Sequence, residues 1–415
     1  MRALHIEFPK AHLNSLLTVM ILFIISAAAG VNASDDPGKK LDIGKFDLNI
    51  RSYYIKRSYS IASPQESLAI GGWLGYRTPW WHNLMAGVTV FTSQGLIFTD
   101  PDKGGAGILG PQQNGYTALG DAYLKGKVSK TELTVFRQEL DTPFINPHDS
   151  RMTPNTFEAY TLTSKDIPLF TLLVSHVAKI KPWTDTSFES MSEAAGVAGT
   201  NEPVTMAGVV FEPASNYKLN LWEYYCNNLM NIIYARGDGE WKYSGDLAFV
   251  TSLQFLNQQD VGNALAGSFN TGMFGVQETV KWKGWGVTFA YTATSSDHDI
   301  INPWAGYPGF TAMIVKDDDR AGENTWLAGL SYDFSTLGIN GLSAFSNFAN
   351  SSTPKTGPHV SPSQNELDFT VDYRFQKLLD GLWIRLRTAF ITQDKSMGGQ
   401  DMQDYRVIVN YRIPF

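Results

Sequence analysis

Tyr405-Arg406-Val407-Ile408-Val409-Asn410-Tyr411-Arg412-Ile413-Pro414-Phe415 ends the chain on a strict alternation. Tyr405, Val407, Val409, Tyr411, Ile413 and Phe415 fall on one face, and Arg406, Asn410 and Arg412 on the other. Neighbouring strand side chains point to opposite faces, so this is a period-2 strand with one apolar face. Aromatics stand at both ends of that face, where a bilayer-crossing strand meets the two lipid–water interfaces. An edge strand of a soluble sandwich could show the same pattern, so the decision rests on whether the rest of the chain repeats it.

It does. About eighteen strand segments can be marked, most of them about 9–14 residues long, the length a tilted strand needs to cross a bilayer. Among them are Lys45–Arg57, Glu66–Arg77, Thr131–Leu140, Trp241–Leu256, Glu366–Phe375, Leu382–Thr392 and Met402–Ile413. Short turns are expected at Val128–Lys130, Lys165–Pro168, Glu212–Ser215, Gly237–Glu240 and Lys283–Trp285. Between them come long loops at Leu96–Tyr116, Asp141–Pro154, Pro182–Glu202, Asn257–Gly267, Asp297–Gly322 and Ser351–Asn365. Short periplasmic turns alternating with long extracellular loops mark an outer-membrane barrel. The expected fold is all-β, a transmembrane antiparallel β-barrel with both termini periplasmic. Closure is required because lipid offers no partner for the backbone groups of an open sheet edge.

The N-terminus reads as a secretory leader: basic Arg2 and Lys10, an apolar Leu16–Ile25, and Val31-Asn32-Ala33 as a small-x-small cleavage site. This predicts a signal peptide over 1–33 and one barrel domain over 34–415. Charged residues make up only 18% of the chain and aromatics 13%, which suits a barrel wet on one face. The net charge of −7 and the lack of a basic run argue against nucleic acid. Cys226 is the single cysteine, so no intramolecular disulfide can form and no C-x-x-C-H haem site exists. No cofactor and no metal is expected.

Strand parity places the arginines. In Leu367-Phe369-Val371-Tyr373-Phe375 the apolar set faces lipid, sending Glu366, Asp368, Asp372 and Arg374 inward. The same rule sends Arg385, Arg387, Arg406 and Arg412 inward on the last two strands, and Asp47, Asn49, Arg51 and Arg77 on the first two. An arginine on the lipid face near the midplane costs roughly 2–4 kcal/mol. Closure makes these five strands neighbours, so their arginines share one wall. Arg137 is a further candidate of ambiguous parity. Stacked guanidinium groups can pass an anion from site to site. The alternative is plain lumen solvation, with the arginines paired to Asp372, Asp368 and Asp47.

The stretch from Arg137 to Phe157, rich in Pro, Asx and mixed charge, falls in the third extracellular loop. Turn formers of this kind can hold a fixed loop, one able to fold inward and narrow the lumen through Asp141, Asn146, Asp149, Ser150 and Arg151. An ordinary solvated surface loop is the alternative. This stretch, with Thr142-Pro143 and Asp149-Ser150-Arg151-Met152-x-Pro154-x-Thr156-Phe157, resembles the OprD-type outer-membrane porins. So do Gly381-Leu382-Trp383-Ile384-Arg385-Leu386-Arg387 and the Arg406–Phe415 ending. The resemblance implies an eighteen-stranded barrel with inward-folded loops and a basic ladder, which Arg51, Arg374, Arg385, Arg387 and Arg406 match by position. It also implies passive uptake of small solutes, carboxylates or amino acids, by a monomer or loose trimer. Its acidic side of the constriction would fall on Asp149 and Asp141.

Two other functions stay open: a receptor or adhesin barrel, which long loops permit, and a barrel hydrolase. His148-Asp149-Ser150 are contiguous, and consecutive residues rarely line up as a catalytic triad. The expectation is therefore a channel and not an enzyme.

Overall fold

The computed structural model describes residues 43–414 apart from Gly105; the leader expected at 1–33 and the terminal Phe415 lie outside the described residues. The strands in chain order are β1 (Lys45–Tyr59), β2 (Gln65–Arg77), β3 (Leu84–Ile97), β4 (Tyr116–Val128), β5 (Thr131–Gln138), β6 (Thr156–Ser164) and β7 (Phe170–Lys181). They continue with β8 (Glu189–Ser190), β9 (Val204–Ala214), β10 (Tyr217–Cys226), β11 (Met230–Ser244), β12 (Leu247–Asp260), β13 (Asn270–Trp282) and β14 (Trp285–Thr294). The last five are β15 (Asn324–Asp333), β16 (Leu342–Ser352), β17 (Gln364–Arg374), β18 (Leu382–Gln393) and β19 (Met402–Pro414).

Each strand pairs antiparallel with the next, and β1 pairs with both β2 and β19. The two-residue β8 bonds only to β7, and β7 continues directly to β9. The nineteen strands of the sheet less β8 therefore form a closed ring of eighteen. Closure leaves no sheet edge with unpaired backbone groups, which is the condition for standing in lipid.

The distribution of polarity is inside out, as expected. Outward-facing Ile50, Leu253, Leu330, Leu386 and Val407 are exposed, while inward Arg51, Asp368, Asp404 and Arg406 are buried. Aromatics gather on the outer face near the short-turn end: Phe46 against Tyr76, Tyr217 against Trp241, and Trp285 against Tyr332. A second group, Tyr160, Tyr291 and Trp326, is exposed toward the long-loop end. Rings of this kind sit comfortably at a lipid–water interface.

One expected turn is not where the alternation puts it. Gly237–Glu240 is strand interior: β11 runs through it to Ser244, and the chain reverses at Gly245, whose φ is +46°. Gly-Asp-Gly-Glu looks like a turn, but Asp238 is held inward by Arg236 and Ser252. The glycines face outward beneath the Leu219, Tyr217 and Trp241 side chains. Aromatic cover of a strand glycine replaces the packing that its missing side chain cannot give.

Half of the lumen is filled. Leu140, Phe144 and Ile145, Met191, Phe269, and Ile300 and Trp304 come from four loops at the long-loop end. They pack as one hydrophobic core against inward residues of β6 to β13, such as Phe157, Val177, Tyr224 and Leu256. A second, smaller cluster joins the loop residues Ala106, Ile108, Leu109 and Met152 to Tyr53, Ile55, Ala69 and Ile408 on the β1, β2 and β19 side, where the arginines also stand.

Candidate functional site

The loop between β5 and β6, residues 139–155, folds into the barrel and is tied at both ends. Phe144 is fully buried with its ring edge-on to Tyr224, Tyr234 and Tyr307. Thr142 Oγ1 donates to the Ile145 carbonyl at 2.9 Å, closing a local turn. Asn146 grips a second inward loop, residues 295–323: its Nδ2 donates to Gly306 O at 3.2 Å, and its Oδ1 accepts from Gly306 N at 2.9 Å. Buried Lys181 donates to the Pro154 carbonyl, and Trp183 Nε1 to that of His148. A purely solvated surface loop would have none of this, so the inward-folded reading is the one the structure carries.

The tip meets the arginine wall through Arg51. Its Nη1 and Nη2 donate to Asp149 Oδ1 and Oδ2 at 2.5 and 2.9 Å, and its Nε to Asn410 Oδ1 at 2.6 Å. Nη1 also donates to the Arg151 carbonyl at 2.5 Å, and Tyr53 Oη donates to that of Ser150 at 3.2 Å. A fork of fixed donors on a carboxylate is the strong form of ion pair. Arg51 therefore acts as the anchor of the loop, not as an open rung.

The remaining wall arginines divide by partner. Arg385 is bidentate to Asp372 at 2.6 and 2.8 Å and lies over Trp383; Arg374 stacks on the same ring at 5.1 Å. Arg412 is bidentate to Asp47 at 2.9 and 2.5 Å. Arg406 and Arg57 both bond the buried Asp404. Arg387 lies directly across from Arg406 in the register, donates to Thr370 Oγ1 at 3.3 Å, and has no ion pair among the described residues. Arg151 projects from the loop over Trp183 at 5.0 Å, donates to Ser150, and has no carboxylate partner among the described residues. Its buried Nε is left without a partner among the described residues. Burial, and next the neighbouring Arg406, pull the Arg151 guanidinium down to about 10, still charged at neutral pH.

Of the four arginines Arg57, Arg151, Arg387 and Arg406, Arg57 and Arg406 share Asp404, while Arg151 and Arg387 have no ion pair among the described residues. That cluster beside the loop tip holds excess positive charge in an enclosed lumen, where field is least screened.

Below the loop opens a chamber of about 460 Å³ roofed by Pro147, Asp149 and Pro154. Asp47, Arg77, Asp121, Lys125, Glu139 and Arg412 line it, with Trp73, Tyr76 and Tyr123. Glu139 faces lumen water yet is ringed by protein; burial, then the Asp121 and Asp149 charges, push its carboxyl up to about 7.

Arg137 stands apart from the wall. It pairs with Glu158 at 3.0 Å and stacks on Phe188 at 4.3 Å. Glu158 alternates with the exposed Tyr160 and Leu162, so this pair lies on the outer face. A positive φ of 82° at Phe136 breaks the parity just before it. Asp141 is exposed at the loop's start and joins no ion pair among the described residues. Arg57 was missed, although counting by two from Arg51 through Tyr53 and Ile55 reaches it. Asp121 could not be reached that way. A bulge at Gly120 switches β4, leaving Leu119 and Leu124 both outside and Asp121 inside.

His148, Asp149 and Ser150 do not converge. The His148 ring packs edge-on against Trp183 at 4.3 Å, Asp149 is held by Arg51, and the Ser150 carbonyl is held by Tyr53.

The family described as outer membrane porin, OprD family, matches residues 41–415. The porin-like protein GalP of Pseudomonas putida is 25% identical over 341 residues, 74% of this chain and 78% of that protein. OccK9 (OpdG) of Pseudomonas aeruginosa superposes with a TM-score of 0.81 at 22% identity, over 90% of this chain and 98% of that one. OpdK of the same organism, solved with vanillate, gives 0.80 at 19% identity over 90% and 99%. OccAB3 of Acinetobacter baumannii gives 0.81 at 18% identity over 90% and 99%. The solved structures speak to the eighteen-stranded fold, and the family match runs from just before β1 to the end of the chain. The chain belongs to the OprD family of outer-membrane porins.

Proposed function

We propose that this porin is a selective passive channel for small carboxylate-bearing solutes, amino acids included, which pass along the arginine wall at the loop tip. The supporting observation is the guanidinium groups left unpaired there: of Arg57, Arg151, Arg387 and Arg406, only Arg57 and Arg406 are ion-paired among the described residues, both to Asp404, and Asp368 acts on Arg387 and Arg406 through its field alone. A solute carboxylate offers Arg151 and Arg387 the partner they lack, and neighbouring cations let it leave as readily as it arrives, which conduction requires. Arg51 positions the constriction loop, while Arg374, Arg385 and Arg412, partly neutralised, line the approach below. OpdK was solved with vanillate, itself a carboxylate, which accords with this reading. Ring closure between β1 and β19 lies within one chain, so a single chain suffices for a passage. Movement is down the solute's gradient, with no catalytic step and no cofactor assigned.

Single-channel current of the purified protein in a planar bilayer tests the proposal. Discrete openings, blocked in a concentration-dependent way by benzoate or succinate, are expected. Stable insertion without conductance contradicts a channel of any kind, and openings that no carboxylate blocks contradict the solute class.

A further inference from the structure

The chamber below the constriction loop holds a carboxylate that the fold leaves without a full set of partners. Asp121 is 7% exposed and lines the chamber; Thr89 donates a hydrogen bond to its carboxylate, but its Oδ1 has no partner among the described residues. Leaving a buried charged acceptor unsatisfied is costly, because it forfeits its hydration with nothing in return. Buried Lys181 acts on Asp121 only through its field, because its Nζ is spent on the Pro154 and Pro182 carbonyls. Glu139, from the root of the constriction loop, lines the same chamber and lies within electrostatic range of Asp121. The same chamber is lined by Arg77 and Arg412. Arg412 is bound to Asp47, whereas Arg77 joins no ion pair among the described residues.

We infer that this chamber is an ammonium subsite: Asp121 and Glu139 hold the cationic group of an amphoteric solute that has passed the arginine cluster, while Arg77 faces its carboxylate. The assignment rests on the channel reading above and narrows its solute class to molecules bearing both charges. An ammonium group supplies three donors, enough to reach the free Asp121 oxygen and Glu139 together. The chamber's volume suits an amino-acid-sized guest, and Tyr123 and Trp73 supply apolar wall around it. A solute with only a carboxylate gains nothing from the acids, so discrimination arises here and not at the arginine cluster.

The test uses the purified chain in liposomes with labelled glycine, acetate and acetamide. Glycine uptake is expected to saturate, with a half-saturation concentration that rises at least fivefold in Asp121→Asn. A similar rise is expected in Glu139→Gln, which removes the second acid at a side chain open to lumen water. Acetamide, of similar size and uncharged, should enter linearly in all three proteins and reports that each variant folds and inserts. Non-saturating glycine uptake in the native protein, or an unchanged half-saturation in both variants, overturns the subsite. Acetate that fails to enter the native protein while acetamide does overturns the carboxylate reading instead, so the two failures are distinguishable.

Discussion

At the residue scale, the inward fold of the 139–155 loop is set by a few charged contacts. Asp149 fixes the loop tip through two charge-assisted bonds to Arg51. Replacing it with Ala removes both and leaves a buried guanidinium short of its carboxylate, a loss of about 2 kcal/mol in loop docking once the partial exposure of Asp149 is allowed for. Single-channel recording should then show a larger and noisier conductance; an unchanged trace would mean that the loop is held elsewhere. Two loops should also respond to acid in opposite directions. Burial, and next the Arg151 charge, push the His148 imidazole from its ordinary 6.5 down to about 4. The docked loop therefore favours neutral His148, and that contribution is lost as pH falls from 6.5 toward 4. Asp318 and Asp319 in the 295–323 loop are pushed by burial from 3.8 up to about 7. Docking there favours the protonated acids and weakens as pH rises through 4 to 7. Amide exchange compared at pH 7.5 and pH 5 should show residues 146–152 loosening on acidification and residues 314–320 tightening. Parallel changes in both loops would contradict the assignment.

At the element scale, β17 does more than contribute wall. Its inward carboxylates Asp368 and Glu366 accept the backbone N–H groups of Ile314, Val315 and Lys316, each at 2.9 Å. Arg406 donates to the Ile314 carbonyl at 3.2 Å, and Ile314 and Val315 pack on Ala389, Ile391 and Met402. The strand thus straps the 295–323 loop over the upper end of the arginine wall. Glu366→Gln combined with Asp368→Asn weakens all three acceptors. Exchange at residues 314–316 should quicken at least tenfold while β-strand amides elsewhere keep their protection; equal protection would mean the apolar contacts alone hold the loop. These contacts also mark how far the amino-acid sequence can be read. Strand parity needs only local alternation, so the inward set on β1, β17, β18 and β19 is legible in the sequence alone. Which arginine keeps a free guanidinium depends on register and on loop folding. The Arg385–Asp372 pair follows from residues thirteen apart facing across two strands, whereas Arg51–Asp149 joins residues 98 apart through a loop tip. Parity also fails where a strand bulges or takes a positive φ, and Asp121 and Arg137 each lie beside such a break.

At the scale of the whole molecule, the barrel is a sheet turned inside out. Apolar residues meet lipid, polar residues meet water, and the dry core is the loop plug on the β6–β13 side. Loop residues Ala106, Ile108, Leu109 and Met152 also pack against β1, β2 and β19, so the passage proposed above runs between two loop clusters, beside the arginines. The loop contributions to the plug were not legible, since Phe144, Met191 and Trp304 lie in stretches without periodicity. Lipid contact predicts that Leu386→Arg, on the outer face of β18, costs about 2–4 kcal/mol in folding from urea into vesicles. A loss below about 0.5 kcal/mol would deny that this face meets hydrocarbon near the midplane. If solutes travel along an electropositive wall beside the loop tip, that wall must also sort small ions. Its charge is read by the zero-current potential across a planar bilayer under a potassium chloride gradient, for the native protein and for Arg151→Gln with Arg387→Gln. A potential of the anion-selective sign is expected in the native protein, collapsing toward zero or reversing in the double variant. An identical potential in both would contradict passage along this wall.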